Sequence, residues 1–228
     1  MKWLDLLAHE VEVIAGTLAG LGPADLGRPV PSCPGWSVHD LVVHVGQIER
    51  WVAHAVREGE LLRQLPTWSG QGLASWYDAG AADLQAVLDV DPATPAATFA
   101  PDATVGFWQR RQVHEHRIHR WDLENAVGLP EPIDPALAAD GCDEIATMFW
   151  PRQLRLGRAI EPDAGLRVVS TDSPGQWLFG KRPVATLSGP APDLVLALMH
   201  RLDPAHPTLT WSGDEAQGRS VLKLALAP

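Results

Sequence analysis

The chain of 228 residues is 46% hydrophobic and 20% charged, with a formal net charge of -10 and no clustered run of Lys or Arg. That length supports one large domain or two small ones around a sizeable core, and the acidic balance argues against binding nucleic acid or an acidic membrane surface, which need a basic patch. Two cysteines, Cys33 and Cys142, are too few for a disulfide framework, and no apolar run approaches the roughly 18 residues of a membrane span.

The segment "KWLDLLAHEVEVIAGTLAGL" has apolar residues at helical spacing and stops at Gly22-Pro23. Acids interrupt its apolar run, so it does not read as a secretory leader, and the expectation is a soluble, cytoplasmic protein. A loop dense in Pro and Gly follows, "GRPVPSCPGW". Ser37 is placed to cap the next helix, "VHDLVVHVGQIERWVAHAVREG", with Asp40 three residues on as its capping-box partner. Residues 71–90 form a third helix that ends near Asp91-Pro92, and residues 92–104 are a linker or long loop. A fourth helix runs from about Val105 to Val127 and stops at Gly128-Leu129-Pro130. Asp134-Pro135 opens a fifth, "PALAADGCDEIATMFWPRQLRLG".

Beyond about Glu161 the texture changes. "GLRVVSTD", "QWLFG" and "PVATLSG" are short, β-branched and bounded by turn residues, which is the pattern of strands. "APDLVLALMHRL" reads as a helix, "TLTWSG" as a strand and "DEAQGRSVLKLAL" as a closing helix. The predicted class is α+β: an N-terminal four-helix bundle over residues 1–158 and a small C-terminal α/β domain over residues 159–228. Of the ten tryptophans, Trp68, Trp76 and Trp108 are assigned to packing rather than to a pocket wall.

Helical phase, at about 100° per residue, sorts the polar residues. On the helix from Val38, His44 shares the apolar face of Leu41, Val45, Ile48 and Val52, whereas His39 and His54 fall off it. On the helix from Val105, Glu115 and His119 are at i and i+4 and share a face with Trp108, Ile118, Arg111 and Asp122. The opposite side, with Arg110, Arg117, Arg120 and Glu124, is expected to be solvated, and His114 and His116 fall to the flanks as bystanders. A carboxylate and two imidazoles pointing into a bundle need a counter-charge, because an unpaired buried carboxylate costs several kcal/mol. A divalent metal supplies it. His44, Glu115 and His119 form a three-ligand set with one position open for water or substrate, suited best to Zn2+ and acceptable to nickel, cobalt or iron(II). Asp122, three residues after His119, can accept the second ring N–H.

"PSCPGWSVHDLVVHVGQIERW" followed by "EHRIHRWDLENAVG" resembles the mycothiol-dependent maleylpyruvate isomerase family, a branch of the DinB-like metal-binding bundles, and the tail "VATLSGPAPDLVLALMHRL" resembles that family's small C-terminal domain. The resemblance implies a Zn2+ held by His44, Glu115 and His119, and mycothiol as the thiol cosubstrate. It implies an isomerase or S-transferase in which a metal-bound thiolate attacks a small electrophile. A carboxylate-bearing substrate would be clamped by Arg111 or Arg201, Arg111 being equally placed for a salt bridge to Glu115. Two alternatives stay open: a zinc hydrolase that activates water, and a non-catalytic bundle that senses metal or oxidation through Cys33.

Overall fold

The structure, a computed structural model, describes residues 1–70, 72–128 and 130–227. Helix α1 (Trp3–Ala19) buries Leu7, Val11, Ile14 and Leu18 at three- and four-residue spacing, one apolar stripe. A single short turn of helix, α2 (Pro23–Leu26), sits between the end of the first helix and the Pro- and Gly-rich loop, where no element was expected. Ser37 caps α3 (Val38–Glu58) as expected. Its hydroxyl accepts from Asp40 N at 3.2 Å, and Asp40 Oδ2 accepts from Ser37 N at 2.9 Å. Gly59, at φ 69°, closes the helix in the left-handed region that glycine enters without strain. Helices α4 (Leu73–Leu88) and α5 (Val105–Val127) match the third and fourth expected segments. Gln71, at the start of the expected third helix, and Leu129, in the expected stop after the fourth, lie outside the described residues.

These four long helices pack α1 on α5 and α4, and α3 on α4 and α5. The approach of α3 to α4 depends on Gly46, where a Cβ would run into the Trp76 ring. Arg50 locks the same crossing: its guanidinium lies 4.0 Å from the centre of the Trp76 ring and donates to Gly46 O at 2.9 Å. Trp108 is core, 1% exposed, and donates from Nε1 to Ala97 O at 2.8 Å within an aromatic cluster of Trp51, Phe99 and Phe107.

One face of α5 departs from the sequence reading. Arg117, Arg120 and Glu124, expected in solvent, are each 4% exposed. The two guanidiniums are neutralised within the protein by Glu124 and by Glu10 of α1, itself 3% exposed. Arg120 donates to Glu124 Oε1 at 2.6 Å, to Glu131 Oε2 at 2.5 Å and to Glu10 Oε2 at 3.3 Å, and Arg117 donates to Glu131 O at 2.7 Å. A complementary helix has replaced water as the partner of these charges.

The contacts divide the chain into two compact units, Met1–Glu131 and Pro132–Pro228. The sequence reading set the division after residue 158 instead. The difference is the fifth helical segment, which forms three pieces: α6 (Pro135–Glu144), a π-helical turn (Ile145–Phe149) and α7 (Trp150–Arg155). Pro151 has no N–H to continue the α ladder, and the wider turn precedes it. The segment sorts with the second unit because α6 packs on α8 (Ala191–Leu198), and Trp150 meets Phe179 with ring centres 6.2 Å apart.

The second unit is built on a four-stranded sheet in the order β2-β1-β3-β4, from β1 (Ala164–Ser170), β2 (Gln176–Phe179), β3 (Arg182–Gly189) and β4 (Thr210–Gly213). β1 and β3 run parallel, and β2 and β4 flank them antiparallel. Leu166, Val168, Ala185 and Leu187 take the buried face by strand alternation, with α8 and α9 (Glu215–Leu222) packed against β1 and β3. Among the described residues no helix is long and apolar enough to cross a membrane.

Candidate metal centre

Helices α3 and α5 lie side by side, and the four-residue spacing on α5 stacks Glu115 and His119 on one face. Glu115 Oε1 is 3.5 Å from His44 Nε2 and 3.3 Å from His119 Nε2. One donor atom from each of the three residues lies within 4.8 Å of the other two. In a tetrahedral zinc site with bonds of about 2.0–2.1 Å, neighbouring ligand atoms stand about 3.3–3.4 Å apart. The carboxylate oxygen already holds that spacing to both imidazoles, and two imidazoles with one carboxylate suit zinc chemically. The residues present therefore fit the metal.

The surroundings aim each donor. Arg111, one turn before Glu115, forms a salt bridge to Glu115 Oε2 and leaves Oε1 facing the histidines. His119 Nδ1 donates to Asp122 Oδ2 at 3.0 Å, so Nε2 is the nitrogen directed at Glu115. Asp122 is fully buried and also accepts from Ser32 Oγ at 2.5 Å and from the Cys33 thiol at 3.7 Å. Trp36 packs on His44, ring centres 4.9 Å apart. The loop "SCPGW" thus braces the site at both ends, through Asp122 and through His44. Cys33 stands with Asp122 and His119 in a second group of potential ligand atoms, rather than with His44 and Glu115.

Burial pushes the Glu115 carboxyl up, but the charge of Arg111, followed by His119 and the hydrogen bond from His44, outweighs it and holds the group well below its usual range. Burial likewise disfavours a charged His119, yet the Glu115 carboxylate and then Asp122 lift its pKa to about 9. With no metal ion the imidazolium proton balances the carboxylate, and metal binding has to displace that proton.

Of the residues singled out in the sequence, His44, Glu115, His119, Arg111 and Asp122 are brought together. Arg201 lies in the second unit, just beyond α8, where its guanidinium donates to Met199 O at 2.8 Å. The two supposed bystanders are both buried. His114 packs edge-on to Trp3, with ring centres 5.9 Å apart. His116 is 0% exposed, with Nε2 3.1 Å from Glu49 Oε1 and Nδ1 donating to Gln112 O at 2.8 Å. Sequence reasoning missed the Glu49–His116 pair. The signal was there: Glu49 is four residues after Val45 and three before Val52, both buried, so its phase is inward.

The family model described as the mycothiol maleylpyruvate isomerase N-terminal domain matches residues 7–124, and the one described as the MDMPI C-terminal domain matches residues 136–219. Among solved structures, the crystal structure of the mycothiol-dependent maleylpyruvate isomerase is similar with a TM-score of 0.68 and 16% identity, covering 92% of this chain and 91% of that one. A histidine-to-alanine mutant of the mycothiol-dependent maleylpyruvate isomerase gives a TM-score of 0.66 at 15% identity, again covering 92% and 91%. At such identities the likeness to the solved structures speaks for the fold. No curated protein gave a significant sequence match.

Proposed function

The chain belongs to the mycothiol maleylpyruvate isomerase family, and from that membership we propose that it is a zinc-dependent, mycothiol-using isomerase or S-transferase acting on a small, carboxylate-bearing electrophile. The observation that carries the reading is Glu115 Oε1 poised 3.5 and 3.3 Å from two imidazole nitrogens, with its second oxygen already held by Arg111.

His44, Glu115 and His119 would hold the ion and leave one position for the thiol. A zinc ion bound there supplies a Lewis acid that turns a thiol of ordinary pKa, about 8.5, into its thiolate at neutral pH. The chain's own groups do the rest. Asp122 keeps the Nδ1 proton on His119, and Arg111, which keeps Oε1 aimed, is the cation on this face of α5 toward which a substrate carboxylate would be drawn. In an isomerase the mycothiol sulfur adds to one carbon of a cis C=C conjugated to a carbonyl, and the π electrons move to the carbonyl oxygen. Rotation about the new single bond follows, and expulsion of the thiolate restores the alkene as trans. A transferase shares the addition, and in place of the expulsion the enolate takes up a proton from water at carbon, leaving the thioether. Asp122, the base beside the proposed ligands that a water-activating hydrolase would call on, already accepts from Ser32, Cys33 and His119, which favours the thiol reading. Residence in the cytoplasm belongs to the same proposal. Neither cysteine is in a disulfide, as suits a compartment where a thiol cosubstrate stays reduced.

The test is elemental analysis of the purified protein beside Glu115→Ala and His119→Ala. Near-stoichiometric zinc in the wild type, lost in both variants, is expected. Mycothiol with a panel of cis-enedione acids and other electrophiles then separates isomerised product from thioether adduct by mass spectrometry and NMR. Wild-type protein that takes up no metal even on reconstitution overturns the proposal.

A further inference from the structure

Besides the charged network around Arg120, the proposed chemistry leaves a further buried ionisable pair of the bundle unused, among the described residues. Glu49 and His116 are both 0% exposed and meet at 3.1 Å. His116 spends its other ring nitrogen on Gln112 O, a group that can only accept, so Nδ1 carries a proton. Glu49 Oε2 has no hydrogen-bond partner among the described residues. It fits against α4 only because Gly80 lacks a side chain, since a Cβ there would collide with this carboxylate and with Arg50. Half-satisfied buried ionisable pairs are poor stabilisers, and apolar residues of similar volume often do as well or better. The pair therefore calls for a reason other than stability.

Its placement supplies one. Glu49 is on α3 and His116 on α5, the two helices that carry the proposed zinc ligands. On α3, His44 and Glu49 are five residues apart, about 140° around the axis, and on α5, Glu115 and His116 are adjacent, about 100° apart. The link from His44 to Glu115 and the link from Glu49 to His116 thus stand on different flanks of the helix–helix seam. With one link each helix can roll about its own axis, and with two on different flanks it cannot. Side-chain atoms ride about 5–6 Å from a helix axis, so a roll of about 10° displaces a ligand atom by about 1 Å. Metal sites tolerate about 0.2 Å.

We infer that Glu49 and His116 are positioning residues of the metal site, a buried pin that fixes the roll of α5 against α3 and so keeps Glu115 and His119 within reach of His44. The inference rests on the zinc site proposed above. Glu49→Gln keeps the pin, because the amide N–H2 can donate to His116 Nε2. Glu49→Leu and the double variant Glu49→Leu/His116→Leu remove it.

For each variant, zinc affinity is measured by chelator competition, urea unfolding is measured on the zinc-free protein, and the d–d absorption of the Co2+-substituted protein is recorded. Glu49→Gln is expected within about threefold of wild-type zinc affinity. The double variant is expected to lose about 10- to 100-fold in affinity, the usual effect of losing outer support, with an altered Co2+ spectrum and zinc-free stability equal to or above wild type. A purely structural role would instead move affinity and stability down together. A folded double variant that binds zinc as wild type does, with the same Co2+ spectrum, overturns the pin and leaves the zinc site standing. A wild type that binds no zinc overturns the site itself, and the pin with it. If the double variant does not fold, Glu49→Leu is judged by the same three readouts.

Discussion

Replacing Arg120 by Met removes a guanidinium that donates to Glu124 at 2.6 Å, to Glu131 at 2.5 Å and to Glu10 at 3.3 Å, while keeping most of the side-chain volume. The loss is therefore electrostatic. Glu10 and Glu124 stay buried, with Arg117 left as their cation, 3.9 and 4.0 Å away, too far for hydrogen bonds. Breaking a buried ion pair by removing one partner costs about 3–5 kcal/mol. Glu131 is 68% exposed and loses little, and Arg117 retains part of the attraction, so the expected destabilisation is about 2–4 kcal/mol. For a chain of this size that corresponds to a Tm lowered by about 5–15 °C. Urea and thermal unfolding followed by circular dichroism provide the assay. Arg57→Met, which breaks an exposed pair with Asp83, is the control, with about 0–1 kcal/mol expected. Adding Glu124→Gln to Arg120→Met removes one of the stranded charges and should recover part of the loss. If Arg120→Met falls no further than Arg57→Met, the charged face of α5 behaves as a solvated one and the buried network contributes nothing specific.

Asp122→Asn should weaken zinc binding about 10- to 100-fold, because an amide cannot accept from both Ser32 and His119 on its two ends; chelator competition measures it, and an unchanged affinity would mean that His119 is oriented without Asp122. Gly46→Ala drives a methyl into the Trp76 ring and should lower stability by about 1–3 kcal/mol, read from the urea midpoint. Ser37→Ala should lower stability by about 1 kcal/mol at neutral pH through loss of the α3 cap. The Asp40 carboxyl is held below its usual 3.8, first by the Ser37 hydroxyl and then by the Ser37 amide. Its contribution is thus present above that value and lost as pH falls through the lower folded one. The stability gap between wild type and Asp40→Asn should accordingly narrow as pH falls below the usual 3.8 and through the lower folded value, and a constant gap would show that the carboxylate charge is irrelevant to the cap.

The features legible in the sequence are those whose causes are local. Ser37 with Asp40, Gly59, Gly128 and Asp134 with Pro135 mark helix ends by their own backbone chemistry, and the structure puts the ends there. The grouping of His44, Glu115 and His119 followed from phase on two helices. What escaped the sequence depends on a distant partner. Residues 135–155 are as helical as the bundle, and their assignment turns on α8 and Phe179, which lie far along the chain. Arg120 and Glu10 are separated by 110 positions, and nothing in the spacing of charges on α5 tells water from Glu10.

The misses on α5 share one cause. A helix that is polar on every side is ordinarily read as one that faces water. Here it buries Arg111, Gln112, His114, His116, Arg117, Arg120, Asp122 and Glu124 at once. That is affordable only if each face meets its own counter-charge. Arg120 has Glu10 and Glu124, His116 has Glu49, and Glu115 has Arg111 together with two imidazoles. Periodicity reports which residues share a side, and it is silent on what lies opposite. The face of α5 that meets His44 was readable because the partners of Glu115, His44 apart, lie within one turn on the same helix. The faces toward Glu10 and Glu49 required the other helices to be in place.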